Sequence, residues 1–157
     1  MPNAASASVP VAGAAAPAPV VLEVRRTFAA ARERVFDAWT SAASLKRWHA
    51  PDNATVEDAH VDFRVGGGYE IRMRGNDGQL HRVAGEYREI DRPRRLVLSW
   101  AWQDKERSSS SVVTVEFYDR GPATEVVLTH TGLETEQEIQ GHRHGWIGCL
   151  EKLATVL

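Results

Sequence analysis

Residues 135–157 carry the pattern that most restricts what this chain can become. Thr135, followed three residues later by Glu138, is the T-x-x-E capping box that opens helices. Behind it Ile139, His142, Trp146, Cys149, Leu150, Leu153 and Leu157 recur at three- and four-residue steps. One helix of about six turns therefore carries a wide apolar stripe. A stripe of that length must lie against a large apolar surface, and the only candidate upstream is a sheet.

The preceding sequence supplies one. From Val20 the period is two, with Leu22, Val24 and Phe28 alternating with Glu23, Arg25 and Thr27. Ala29 to Trp39 switches to helical spacing, with Val35, Phe36 and Trp39 on one side. Ser41 can cap a second short helix that carries Leu45 and Trp48 and stops at Pro51. Alternation then predicts six further strands, near 55–64, 69–74, 80–90, 95–103, 111–119 and 123–130. Turns fall at Gly66-Gly67-Gly68, Asn76-Asp77-Gly78 and Gly121-Pro122, and loops at Asp91-Arg92-Pro93 and the serine run 108–111. The predicted class is α+β: a six- to seven-stranded antiparallel sheet wrapped around the long C-terminal helix, with two short helices after the first strand. A twisted sheet cannot follow a straight helix along its whole length, so a cavity between them is expected.

Alternation also assigns faces. Tyr69, Ile71 and Met73 point inward from one strand, and Val83, Gly85 and Tyr87 from the next. Leu96, Leu98, Trp100 and Trp102 follow, then Val113, Val115 and Phe117, then Val126, Leu128 and His130.

These residues carry a family likeness. Arg26-Thr-Phe28, Val35-Phe-Asp-Ala-Trp-Thr40, Leu45-x-x-Trp48-x-x-Pro51, Asp62-x-Arg64-x-Gly-Gly67, Gly85-x-Tyr87-x-Glu-Ile90, Arg95-Leu-Val97 with Trp100 and Trp102, and His142-x-x-Gly145-Trp146-x-x-x-Leu150 occur in order across residues 20–157. In this the chain resembles the START-like, helix-grip superfamily, in the branch related to the activator of the heat-shock chaperone ATPase. The resemblance implies a helix-grip cavity for a hydrophobic ligand, in a branch whose bacterial members mostly lack an assigned reaction. The chain departs from the family's Trp-Trp-Gly-Pro pattern at Trp48-His49-Ala50-Pro51. The histidine can add a donor at the cavity mouth or face solvent, and the solvent-facing reading is favoured.

Composition bounds the chemistry. The 157 residues balance 19 Lys+Arg against 21 Asp+Glu, for a net charge of −2, so no basic field favours nucleic acid. No apolar run approaches a membrane span. One cysteine excludes an internal disulfide framework and a Cys-rich zinc site, which fits a soluble domain in the reducing cytoplasm. Residues 1–19 hold no charge and four of the seven prolines, and read as a disordered Ala/Pro-rich tail ahead of a domain at 20–157; a secretory signal is the weaker reading.

The six histidines show no metal-binding spacing, since His142 and His144 diverge by about 200° on a helix. No metal and no cofactor is expected. His130 and His142 both fall on inward faces. They can orient a ligand or act as acid and base, or they can be core histidines bonded to a backbone carbonyl or water. Cys149, on the helix stripe, reads as a buried inert thiol, and Gly66-Gly67-Gly68 precedes a strand and makes no phosphate cradle. Arg92, Arg94 and Arg95 read as a solvated loop cluster. The cavity candidates are Trp48, Tyr69, Tyr87, Trp100, Trp102, His130, His142 and Trp146, with Trp100 and Trp102 as an aromatic wall and loops 75–80 and 103–110 as a rim. The expected function is non-catalytic binding of a small hydrophobic or aromatic molecule. The alternatives are a cyclase- or hydratase-like enzyme using a cavity histidine or tyrosine, and a chaperone-activator-like interaction module, with a chaperone or a second copy as partner.

Overall fold

The computed structural model describes residues 21–103 and 110–157. The tail 1–19 and most of the rim loop expected at 103–110 lie outside the described residues. In chain order the elements are β1 (Val21–Phe28), α1 (Arg32–Asp37), α2 (Ala42–Trp48), β2 (Ala54–Val61), β3 (Gly68–Gly75), β4 (Leu80–Asp91), β5 (Arg95–Trp102), β6 (Ser111–Arg120), β7 (Ala123–Thr131) and α3 (Glu136–Val156). The strands form one seven-stranded antiparallel sheet in the order β1-β7-β6-β5-β4-β3-β2. Apart from β1, which closes onto the last strand, it is a meander. The α+β helix-grip expectation holds.

The core is the inner face of this sheet against α3. Val113, Val115, Phe117, Val126 and Leu128 are buried on the sheet side, and Ile139, Trp146, Cys149, Leu150 and Leu153 on the helix side. Thr135 opens α3 as expected: its side chain accepts from Glu138 N at 3.1 Å, and Glu138 Oε1 accepts from Thr135 N at 3.2 Å. Two backbone donors are thereby satisfied at the helix start.

Three elements differ from the sequence reading in length or parity. The helix expected at 29–39 is only α1, because Ala30 is held in a bend by the Thr124 hydroxyl, which donates to its carbonyl at 2.7 Å. The strand expected at 55–64 ends at Val61, where Arg64 N and Gly67 N fold back on Asp62 O and Arg64 O. A Cβ on Gly67 would lie 2.1 Å from Asp62 O, so only glycine permits this turn. Register shifts between Val56 and Asp58 and between Tyr87 and Glu89 reset the inside–outside alternation, so that Ala59 is buried and Ile90 packs against the core.

The outer face is covered with ion pairs. Arg74 pairs with Glu57, Arg95 with Glu89 and Glu116, and Arg120 with Glu125. The loop arginines join them: Arg92 pairs with Asp37 and Arg94 with Asp91.

Candidate functional site

The face of α3 that meets the sheet carries two kinds of position. Trp146, Cys149, Leu150 and Leu153 fill the interface toward the C-terminus. Toward the N-terminus, Gly141 and Gly145 lie one turn apart on the same face, and a Cβ built on either would meet nothing within 4 Å. Glycine in a helix interior costs about 1 kcal/mol relative to alanine. No tertiary contact here demands it; what it leaves is space.

That space is a cavity of about 620 Å³. Its walls come from α3 (Glu138, Gly141, His142, Gly145, Trp146, Cys149), β5 (Trp100, Trp102), Met73 of β3, His81 of β4, and the His49–Pro51 segment that follows α2. Thr135 and Gln137, both exposed, stand at the mouth, whereas His49, Met73, Trp100, Trp146 and Cys149 are buried at the floor. Trp100 forms the centre of the aromatic wall. Its ring centroid is 4.8 Å from that of Trp146 and 5.7 Å from that of Trp102, the latter at 90°.

Two histidines hold two of these tryptophans. Trp146 Nε1 donates to His130 Nδ1 at 3.1 Å. That nitrogen must be bare, so the proton sits on His130 Nε2, which meets Ser111 Oγ at 2.7 Å. Ser111 in turn donates to the Trp100 carbonyl at 3.1 Å. Trp102 Nε1 donates to His142 Nε2 at 3.0 Å, which places the His142 proton on Nδ1, 2.7 Å from Glu138 O. Burial, with His142 nearby, lowers the pKa of His130 to about 3.

Of the eight residues expected at the cavity, Trp100, Trp102, His142 and Trp146 line it. The other four do not. Trp48 is core, with its indole donating to Ala38 O at 3.0 Å. The Tyr69 hydroxyl donates to Ser99 O at 2.6 Å, a reach made possible by Gly85, whose Cβ would fall 2.8 Å from the Tyr69 ring. Tyr87 packs on Phe63 at 4.9 Å, and burial raises the pKa of both tyrosines. His130 lies behind Trp146. Its two ring nitrogens meet the side chains of Ser111 and Trp146.

His49 corrects the sequence reading: it does not face solvent. It is 3% exposed and sits among Trp39, Trp48, Trp100 and Trp146, at centroid distances of 6.2, 5.0, 5.8 and 5.4 Å. The backbone turns inward there because α2 ends at His49, and Gly148 lets the following residues approach α3: a Cβ at 148 would be 2.9 Å from Asp52 N. Lys152 Nζ locks the segment by donating to Pro51 O and Ala54 O, each at 2.6 Å. Burial lowers the His49 pKa to about 4, its own backbone pulling the other way without reaching hydrogen-bond geometry.

Cys149 is buried and burial raises its pKa to about 12, so it presents a neutral thiol. Among the described residues no cluster of three or more His, Cys, Asp or Glu side chains could hold a metal ion. No helix among them is long and apolar enough to cross a membrane.

A sheet wrapped on a long helix, with an aromatic-walled cavity between them, defines an α+β helix-grip protein of the START-like class. Solved structures share the fold. A protein from Chromobacterium violaceum superposes with a TM-score of 0.78 at 22% identity, covering 87% of this chain and 95% of that one. The AHSA1 protein from Silicibacter pomeroyi gives 0.76 at 27% identity, with 87% and 96% covered. CalU16 from Micromonospora echinospora gives 0.65 at 24%, with 86% and 74% covered. Residues 29–157 match the model of the activator of Hsp90 ATPase homolog 1-like protein family, and the chain belongs to that family. No curated protein matches the chain.

Proposed function

We propose that the protein binds a small hydrophobic or aromatic molecule between the sheet and α3, without a covalent step. The observation that carries this reading is the glycine pair. Gly141 and Gly145 withhold side chains from the N-terminal half of a helix face that is filled toward its C-terminus by Leu150 and Leu153, and the volume left open, about 620 Å³, is walled by Trp100, Trp102 and Trp146. Ligand pockets commonly span roughly 300–1,000 Å³ and are lined mainly by apolar and aromatic groups.

An interaction module would instead be expected to fill its core and to display a contiguous apolar surface. The large exposed hydrophobics among the described residues are Val21, Val65, Tyr118 and Ile147, one on each of four separate segments. This supports the small-molecule reading. Native mass spectrometry of purified protein and a tryptophan-quenching screen of aromatic and lipid-like compounds test it. Binding of at least one apolar class, saturable at one equivalent, is expected; failure of every class refutes it.

A further inference from the structure

The cavity and the packed core share one layer between the sheet and α3, yet their linings differ in kind. The filled part of the layer holds Val113, Val115, Val126, Leu128, Leu150 and Leu153. Among the described residues, no leucine, isoleucine, valine or phenylalanine lines the cavity. Its apolar surface comes from three indoles, with Met73, Pro51 and Cys149. Charge is distributed just as unevenly. No lysine or arginine among the described residues lines the cavity, and the one carboxylate that does is that of Glu138. Burial keeps His49 neutral, and His142 accepts at Nε2 while its Nδ1 meets a backbone carbonyl, the pattern of a neutral ring.

We propose that the ligand is a rigid, uncharged polycyclic ring system, and that the indole walls select it over acyl chains and organic acids. This rests on the binding reading above and specifies its ligand class. The indoles are set at different angles, Trp100 at 90° to Trp102 and at 51° to Trp146. A flat ring lying parallel to Trp102 therefore stands perpendicular to the plane of Trp100. Stacked and edge-to-face contacts are both favoured between aromatic rings, and they add to what buried area supplies. Trp102 and Trp146 are tied through their indole nitrogens to His142 and His130, so the wall has a fixed shape. A rigid ring system loses little freedom on entering such a slot, whereas a chain must freeze one torsion after another. A carboxylate or phosphate would shed water with no lysine or arginine at hand, in a cavity that already holds the Glu138 carboxylate.

The test uses the full chain and three probes near neutral pH: 9-anthracenemethanol, the near-isosteric 9-anthracenecarboxylate, and dodecan-1-ol. The two anthracenes are titrated by quenching of tryptophan fluorescence, and the chain alcohol by displacement of bound anthracenemethanol. Dodecan-1-ol has a large apolar surface, so burial of area by itself would not put the ring ahead. Anthracenemethanol should bind at least about fivefold more tightly than either of the others. Trp102→Leu replaces one ring of the wall by a branched aliphatic group and should shrink the ring-over-chain ratio by about two- to tenfold. The wild-type comparison decides the matter if that variant does not fold. A smaller wild-type preference over either competitor, or an unchanged ratio in a folded variant, overturns the proposal while leaving the binding reading standing. Failure of both anthracenes to bind, with a hit elsewhere in the wider screen, does the same. An empty screen takes the binding reading down as well.

Discussion

Replacing Gly145 by alanine adds one methyl group to the cavity wall and should make the protein more stable. The new Cβ would meet nothing within 4 Å, so there is no steric term. Removing a helix-interior glycine gains about 0.8–1 kcal/mol. With an unfolding entropy of about 2.1 cal/mol/K per residue, a domain of this size changes by roughly 0.3 kcal/mol per kelvin, and Tm should rise by about 3 °C. Gly148, three residues on in the same helix, supplies the control. Alanine there has the same propensity gain, but its Cβ would lie 2.9 Å from Asp52 N and 3.3 Å from Pro51 Cα. Both are backbone atoms that cannot rotate away, and overpacking of this kind costs about 1–3 kcal/mol. The two substitutions should therefore move the urea midpoint in opposite directions. Gly145→Leu completes the set: a leucine on a helix leans toward the N-terminus, over Gly141, and fills the space. It should leave the fold intact and weaken binding of any cavity ligand by about tenfold or more, which corresponds to roughly 1.4 kcal/mol. If Gly145→Ala destabilises as Gly148→Ala does, or if Gly145→Leu leaves affinity unchanged, the glycine pair does not serve the cavity.

Three further perturbations test the structure around it. His49 and His130 have folded pKa values of about 4 and 3, below the ordinary 6.5, so the unfolded chain binds more protons between those limits. Stability should be level above pH 7 and fall as pH drops from about 6.5 toward 4, with a slope of up to about 2–3 kcal/mol per pH unit; chemical denaturation of wild type and His130→Gln across that range measures it, and a flat profile would contradict the buried neutral state. Gly85→Ala puts a Cβ 2.0 Å from Ser99 O and 2.8 Å from the Tyr69 ring, and should cost about 3 kcal/mol or more, read as loss of the folded signal at moderate urea. Lys152→Met removes the two bonds to Pro51 O and Ala54 O and should cost about 1–3 kcal/mol, with faster amide exchange in 50–54 than in β6 as the local signature.

Much of this was legible because its signals are local. The capping box at Thr135, the turn residues, and the alternation from Tyr69 to Met73 and from Leu96 to Trp102 each lie within one element. The sites that eluded the sequence depend on contacts between distant segments. His49 stands between Trp48 and Pro51 with no periodic partner, and its burial follows from the close approach of Pro51 and Asp52 to α3. One signal did exist: Gly148 interrupts an otherwise apolar stripe, and a glycine there marks a backbone passing close by. Parity failed where bulges reset it, near residues 57 and 88. The placement of Tyr69 and Tyr87 in the core beneath the wall was likewise out of reach. An inward face includes both the residues that fill a core and those that border its gap, and alternation does not separate them.

The histidines take their meaning from the indoles. A buried tryptophan needs an acceptor, and backbone carbonyls within a sheet are largely committed to their ladders. His130 and His142 meet that need for Trp146 and Trp102. The acceptor nitrogen in each case fixes the tautomer. Protonating either ring on the nitrogen that accepts from tryptophan would convert the acceptor into a donor facing another donor, breaking that bond. In this arrangement neither ring can serve as a general base through that nitrogen without releasing its tryptophan. Their effect on a ligand is indirect: two walls of the cavity are held in one orientation before anything binds, so less side-chain entropy remains to be lost on binding. Trp100 is held differently. Its carbonyl is fixed through Ser111 while its indole N–H is left without a partner among the described residues. The same network that immobilises the wall thus leaves the Trp100 indole N–H without a partner among the described residues, next to His49, whose buried Nδ1 has none there either.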